Sequence, residues 1–174
     1  MHRTEPGCAA PTAHGHNHAH AERITYTLTG TLTGTLTDGA GDTVTFTDAA
    51  FRWQVIGNTT TGTSVLGLAP VPVFEVPAHK DTIKIGDEVL SPTIPTVFAT
   101  ATVPAPVPFG ISGFSDVTTN KGLAWQSPAL AGYAGTFAIK ALPVTFDNAG
   151  SLPTNAGDLT ITAASSLHFS AATS

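Results

Sequence analysis

From Thr25 to Thr37 every odd position is threonine, while the even positions read Tyr26, Leu28, Gly30, Leu32, Gly34 and Leu36. A strict period of two sorts residue classes onto opposite faces of an extended chain, so residues 22–37 are predicted to form a β-strand with one polar and one apolar face. Thirteen residues from Thr25, at about 3.4 Å each, would run past about 40 Å, beyond a usual strand. Gly30 or Gly34 is therefore expected to mark a bulge or bend. Asp38-Gly39-Ala40-Gly41-Asp42 reads as a turn, and Thr43-Val44-Thr45-Phe46-Thr47 repeats the alternation, completing a hairpin. At Asp48-Ala49-Ala50 the parity flips, and Phe51, Trp53 and Val55 carry the apolar face at odd positions. A one-residue slip would turn the whole set outward, so a bulge or break is expected there.

The stretch 65–108 is punctuated by Pro70, Pro72, Pro77, Pro92, Pro95, Pro104, Pro106 and Pro108. Proline cannot donate to a ladder, which predicts short edge strands and extended connections, with better strands at 82–85 and 96–103. Residues 110–120 read as loop-rich. Strands are expected again at 122–126, 136–146 and 158–169, and residues 129–134 suit a short helical turn. About ten short antiparallel strands spaced by turn signals mean an all-β fold, either a β-sandwich or a β-barrel. Periodicity does not separate the two. Parity flips and proline-broken edges suit two packed sheets, so a β-sandwich over 22–174 is the expectation, with a barrel as the alternative.

Composition agrees with one β domain. The chain has 174 residues, 29 of them threonine, with charged residues at 11% and a net charge of -5. The basic residues Arg3, Arg23, Arg52, Lys80, Lys84, Lys121 and Lys140 are scattered along the sequence, which offers no contiguous patch for phosphates and argues against nucleic acid as a partner. No stretch approaches the roughly 20 apolar residues of a membrane-spanning helix. The single cysteine, Cys8, has no partner for an internal disulfide.

Residues 1–21 differ from the rest, being rich in His, Ala, Pro and Gly, and read as a leader or arm. Ala19-His20-Ala21 before Glu22 has the small-x-small look of an export cleavage site, although the apolar h-region of a signal peptide is missing. His14, His16, His18 and His20 alternate within this arm. In an extended chain they would face one side about 7 Å apart, and neutral imidazoles ligate Zn, Cu or Ni. The same tract also reads as a solvated polar arm.

Glu22-Arg23-Ile24-Thr25-Tyr26-Thr27-Leu28-Thr29-Gly30, with Phe46-Thr47-Asp48-Ala49-Ala50-Phe51, resembles the opening of exported PEP-CTERM-type bacterial proteins. Ala156-Gly157-Asp158-Leu159-Thr160-Ile161-Thr162 and Leu167-His168-Phe169-Ser170-Ala171 are similar to the final strands of that group. The resemblance implies an exported, β-rich protein, secreted or at the bacterial cell surface, linked to envelope or exopolymer biology. The Val-Pro-Glu-Pro sorting anchor that usually follows is not in the sequence, and the resemblance carries no catalytic residues.

Candidate chemistry is sparse. The threonine row is either an ordinary solvent face or an array for carbohydrate, surface or ice contact. Asp38, Asp42 and Asp147-Asn148 could offer oxygen to calcium but equally satisfy turns. His79 beside Asp81, and His168 beside Ser166, are raw material for hydrolysis, with Ser64 as a further hydroxyl, but no Gly-x-Ser-x-Gly elbow accompanies them. The carboxylates Asp87, Glu88 and Asp116 say nothing of their separation in space. Trp53 alternates with core residues, whereas Trp125, before a Gln-Ser-Pro loop, is a candidate sugar-stacking platform. The expected function is non-enzymatic: an exported envelope or extracellular-matrix protein that binds or assembles through strand edges and threonine-rich faces. Its expected partners are exopolysaccharide or further copies of the chain. A metal-binding protein using the histidine arm is the alternative, and an unrecognised hydrolase the second.

Overall fold

The computed structural model describes residues 22–59, 63–66, 72–104, 106–116 and 122–174. The first alternating run forms β1 (Arg23–Thr37) and the second forms β2 (Thr43–Asn58). Then come β3 (Thr63–Leu66), β4 (Pro72–Ile85), β5 (Glu88–Leu90), β6 (Thr96–Val103), β7 (Phe109–Asp116) and β8 (Gly122–Ser127). A 3-10 turn at Pro128–Leu130 leads to β9 (Ile139–Ala149), β10 (Ser151–Thr154) and β11 (Gly157–Thr173).

These strands close into an eight-stranded antiparallel barrel, which corrects the expected sandwich. The ring runs β1-β2-β4-β6-β7-β8-β9-β11, and β11 returns to pair with β1 from Ile24↔Thr173 to Thr37↔Asp158. Strands β3, β5 and β10 extend staves of the ring that are interrupted. β4 pairs with β2 along Phe51–Gly57 and, further along the same margin, with β3. On its other margin β4 pairs with β5 and then β6, and β11 likewise pairs with β10 and then β9.

The parity flips and prolines that suggest two sheets have another cause in this fold. Asp48 has φ 46°, and the β1–β2 register slips between Leu32 and Gly34, so the flip is a bulge. On the other margin of β1, the β11 register slips at Thr29/Thr31 and again at Thr33/Gly34. Bulges increase local twist and bend, which curls one sheet until its outermost strands meet. At Gly34 a Cβ would stand 2.2 Å from the Thr160 carbonyl oxygen, so no other residue fits that approach. Prolines fall where staves break: Pro92 and Pro95 between β5 and β6, Pro153 in β10, and Pro77 where β4 leaves β2 for β3.

The apolar residues of β1 (Ile24, Tyr26, Leu28, Leu32) and β2 (Phe51, Trp53, Val55) face the interior. They meet Ile83, Phe98, Phe114, Leu123, Trp125, Leu167 and Phe169 from the rest of the ring. Tyr26 stacks on Phe98 at 3.9 Å between ring centroids, Phe98 lies parallel to Phe169 at 5.6 Å, and Trp125 meets Phe114 edge-on at 4.9 Å. Each large side chain fully buried in this way stabilises the fold by about 1.5–3 kcal/mol. The interior is thus a packed core and not a cup. One end is drawn shut by contacts between the segment that follows β5 and the end of β10. Thr93 N donates to Pro153 O at 3.0 Å, and Asn155 N donates to Ser91 O at 2.9 Å.

Candidate functional site

Among the described residues, those singled out in the sequence do not converge. His14, His16, His18 and His20 lie outside the described residues, so the proposed Zn, Cu or Ni ligation has no geometry here. Among the described residues no group of three His, Cys, Asp or Glu side chains could hold a metal ion. His79 on β4 and His168 on β11 are both exposed, and His168 Nδ1 lies 3.3 Å from the Ser166 carbonyl oxygen. Asp38 serves its own turn: Oδ1 accepts from Ala40 N and Asp42 N, each at 2.9 Å. Asp87 and Glu88 stand exposed at the β4–β5 turn.

Trp125 is fully buried, 0% exposed, against Phe98, Phe114 and Phe169. It therefore presents no outer face on which a sugar could stack, and its indole Nε1 has no hydrogen-bond partner. Its sequence context misleads because the Gln-Ser-Pro segment after it caps the 3-10 turn: Ser127 Oγ accepts from Ala129 N at 3.1 Å. Trp53 is buried as its alternation predicts, and its Nε1 donates to Asp81 Oδ1 at 2.6 Å. Thr96 Oγ1 donates to Asp81 Oδ2 at 2.5 Å. Burial pushes the Asp81 carboxyl up to about 6, while the bonds from Thr96 and Trp53 pull the other way.

Among the described residues two grooves stand out on the surface. The larger, about 340 Å³, crosses the outside of β4, β6, β7, β8 and β9 and is lined by Val73, Ala99, Ala101, Ile111, Ala124 and Asn148 among others. The smaller, about 250 Å³, lies between Phe109, Val107, Gln126 and Thr145. Neither contains a histidine or a cysteine; the larger has Asp147 in its lining together with Thr100 and Ser112, whose buried hydroxyls bond each other at 2.8 Å.

The opposite wall carries the most regular chemistry. Thr25, Thr27, Thr29, Thr31, Thr33, Thr35 and Thr37 point outward from β1, each half-buried between its neighbours. On β11 they face Ser170 across Thr27, Ser165 across Thr31 and Thr160 across Thr35. On β2 they face Thr45 across Thr35 and Thr43 across Thr37. The bulges keep this wall in phase: Ile161 and Leu167 point inward, but between the two slips Ala163 and Ser165 are turned out. Hydroxyls bond sideways across strands, Thr31 Oγ1 to Ser165 Oγ at 2.8 Å, Thr37 Oγ1 to Thr43 Oγ1 at 3.0 Å, and Ser151 Oγ to Thr160 Oγ1 at 2.8 Å. Gln54 Nε2 adds a bond to Thr27 Oγ1 at 3.2 Å. An apolar interior behind a hydroxylated outer wall reverses the pattern of a lipid-facing barrel.

Sequence reasoning found the threonine row but missed its setting, because the flanking serines come from a strand more than a hundred residues away, as the Thr31–Ser165 separation of 134 shows. No family model, curated protein or solved structure matches the chain.

Proposed function

We propose that the protein is a non-catalytic binding module of the bacterial envelope or extracellular matrix, holding an exopolysaccharide against the hydroxyl wall of β2, β1 and β11. The observation that carries this reading is the wall itself: an unbroken row of threonines on β1, supplied on both margins with serine and threonine. A hydroxyl both donates and accepts, so the row can exchange its sideways bonds for bonds to a polyol without leaving a polar group unpaired. The barrel curves and twists under the row, which suits a flexible chain better than the flat plane of an ice crystal. Export rests on the Ala19-His20-Ala21 site and on the PEP-CTERM-type strings at both ends of the domain.

Affinity electrophoresis through gels containing bacterial exopolysaccharides tests the reading. Retardation is expected for the native protein and its loss for a Thr27→Val, Thr29→Val, Thr31→Val variant, which keeps shape and strand propensity but removes three hydroxyls. Equal retardation of the two proteins, with both folded, would refute the wall as the contact surface.

A further inference from the structure

The basic residues that are dispersed in sequence are gathered in space. Of the Lys and Arg side chains in the described residues, Arg23, Arg52, Lys80 and Lys84 all stand on the outside of β1, β2 and β4, and Lys140 alone lies elsewhere, on β9. Register aligns them with the threonines. Lys84 is opposite Arg52, Arg52 is opposite Thr29, and Thr29 is opposite His168, so two cations and an imidazole line up across the hydroxyl wall at mid-height.

This arrangement has an energetic cost. Cations directly opposite on antiparallel strands sit about 5 Å apart at Cβ and destabilise the pair. Carboxylates do not offset it: among the described residues none of these four cations forms an ion pair. Most of the acids sit in turns, the Asp87–Glu88 turn coming just beyond Lys84. Asp38 and Asp42 occupy the β1–β2 turn, Asp87 and Glu88 the β4–β5 turn, and Asp158 the start of β11, all at the same end of the barrel. Within β1, β2, β4 and β11 the carboxylates are Asp48 in the β2 bulge, Glu75 and Asp81 on β4, and Asp158 on β11, with Glu22 just before β1; Asp81 is tied to Trp53 and Thr96. In a chain of net charge -5, a wall that collects cations and leaves them unpaired is not explained by solubility.

We infer that the polymer held by the hydroxyl wall is anionic, an acidic polysaccharide whose carboxylates lie along the Lys84–Arg52–His168 row while its hydroxyls meet the threonines. This rests on the wall being the binding surface, and it adds the charge of the ligand. Lys80 and Arg23 extend the positive field toward the end of the barrel opposite the acidic turns, so a uronate chain has a preferred direction across the wall.

The test compares a polyuronate (alginate), a neutral glucan (dextran) and duplex DNA as probes for the full chain, at low and raised salt. Expected are binding to alginate that weakens steeply with salt, weaker or no binding to dextran, and a loss of roughly five- to tenfold in an Arg52→Gln, Lys84→Gln variant. A Lys140→Gln variant is expected to bind as the native protein does. Equal, salt-insensitive binding of alginate and dextran overturns the inference and leaves the hydroxyl-wall reading standing. Duplex DNA that competes with alginate at equal strength overturns it in favour of a general polyanion surface. Binding to none of the probes overturns both readings. The urea midpoint of each variant is measured alongside, so that a loss of fold is not mistaken for a loss of contact.

Discussion

Replacing Asp81 by Asn removes a negative charge from the barrel interior while keeping the side chain's shape. The native carboxylate is wedged between β2 and β6, taking bonds from Trp53 Nε1 and Thr96 Oγ1. Asn retains an acceptor for the indole, and its amide can donate to the threonine hydroxyl. Burial lifts the folded carboxyl from 3.8 to about 6, which at about 1.4 kcal/mol per unit corresponds to about 3 kcal/mol. Asp81 keeps part of its surface in contact with solvent, so about 2 kcal/mol is the better expectation. The sign follows from the direction of the shift. The folded state holds this proton up to about 6 and the unfolded state only up to 3.8. The stabilising contribution is therefore whole below 3.8, falls as pH rises, and is gone above about 6. Asp81→Asn is expected to be more stable than the native protein at about pH 7 by about 2 kcal/mol, and nearly equal to it at about pH 4. Urea unfolding followed by the fluorescence of Trp53 and Trp125 across this range measures both, and subtracting the two curves cancels the other carboxylates. A variant less stable at neutral pH, or one whose pH profile runs parallel to the native profile, would refute the reasoning.

Further outcomes follow from the same packing. Tyr26 donates to the Gly135 carbonyl and Tyr133 to the Phe137 carbonyl, and burial pushes both phenols well above their ordinary range. Since these are the chain's two tyrosines, phenolate absorbance is expected to appear in a single alkaline step together with loss of near-ultraviolet dichroism. A gradual titration of the intact fold near 10, the ordinary phenol value, would contradict it. Gly34→Ala places a Cβ 2.2 Å from the Thr160 carbonyl, and is expected to cost about 2 kcal/mol or more, read as a lowered urea midpoint. Gly39→Ala, with nothing within 4 Å, is the matched control and is expected to leave the midpoint nearly unchanged.

The parts of this fold written in short-range pattern are visible in the sequence. The alternation of β1, the bends at Gly30 and Gly34, and the bulge at Asp48 all follow from side-chain parity, and each appears in the register. What parity cannot carry is who pairs with whom. The difference between sandwich and barrel lies in the β1–β11 ladder, which joins segments far apart in the chain and leaves no local mark. β7 was hidden for a different reason: its glycines look like loop formers, but Gly110 and Gly113 are there because Leu130 and Leu123 crowd the backbone. β4 runs through Pro77 because the proline falls where the strand changes partners. The cationic row could not be read from spacing either, since Arg52, Lys84 and His168 share a wall only once three strands are in register.

The seam between β1 and β11 also sets an order in time. β1 leaves the ribosome well before β11, yet one whole margin of it must wait for residues 158–173. Until they arrive, its backbone N–H and C=O groups on that side stand open, and any other extended chain can take the place of β11. Closure over so long a separation is slow to reach by diffusion and rewards the chain only when complete. A chain released whole before it folds meets both margins at once, whereas one that folds as it is made does not. Removing β11 would accordingly leave an open sheet with a long unpaired margin, and not a smaller barrel.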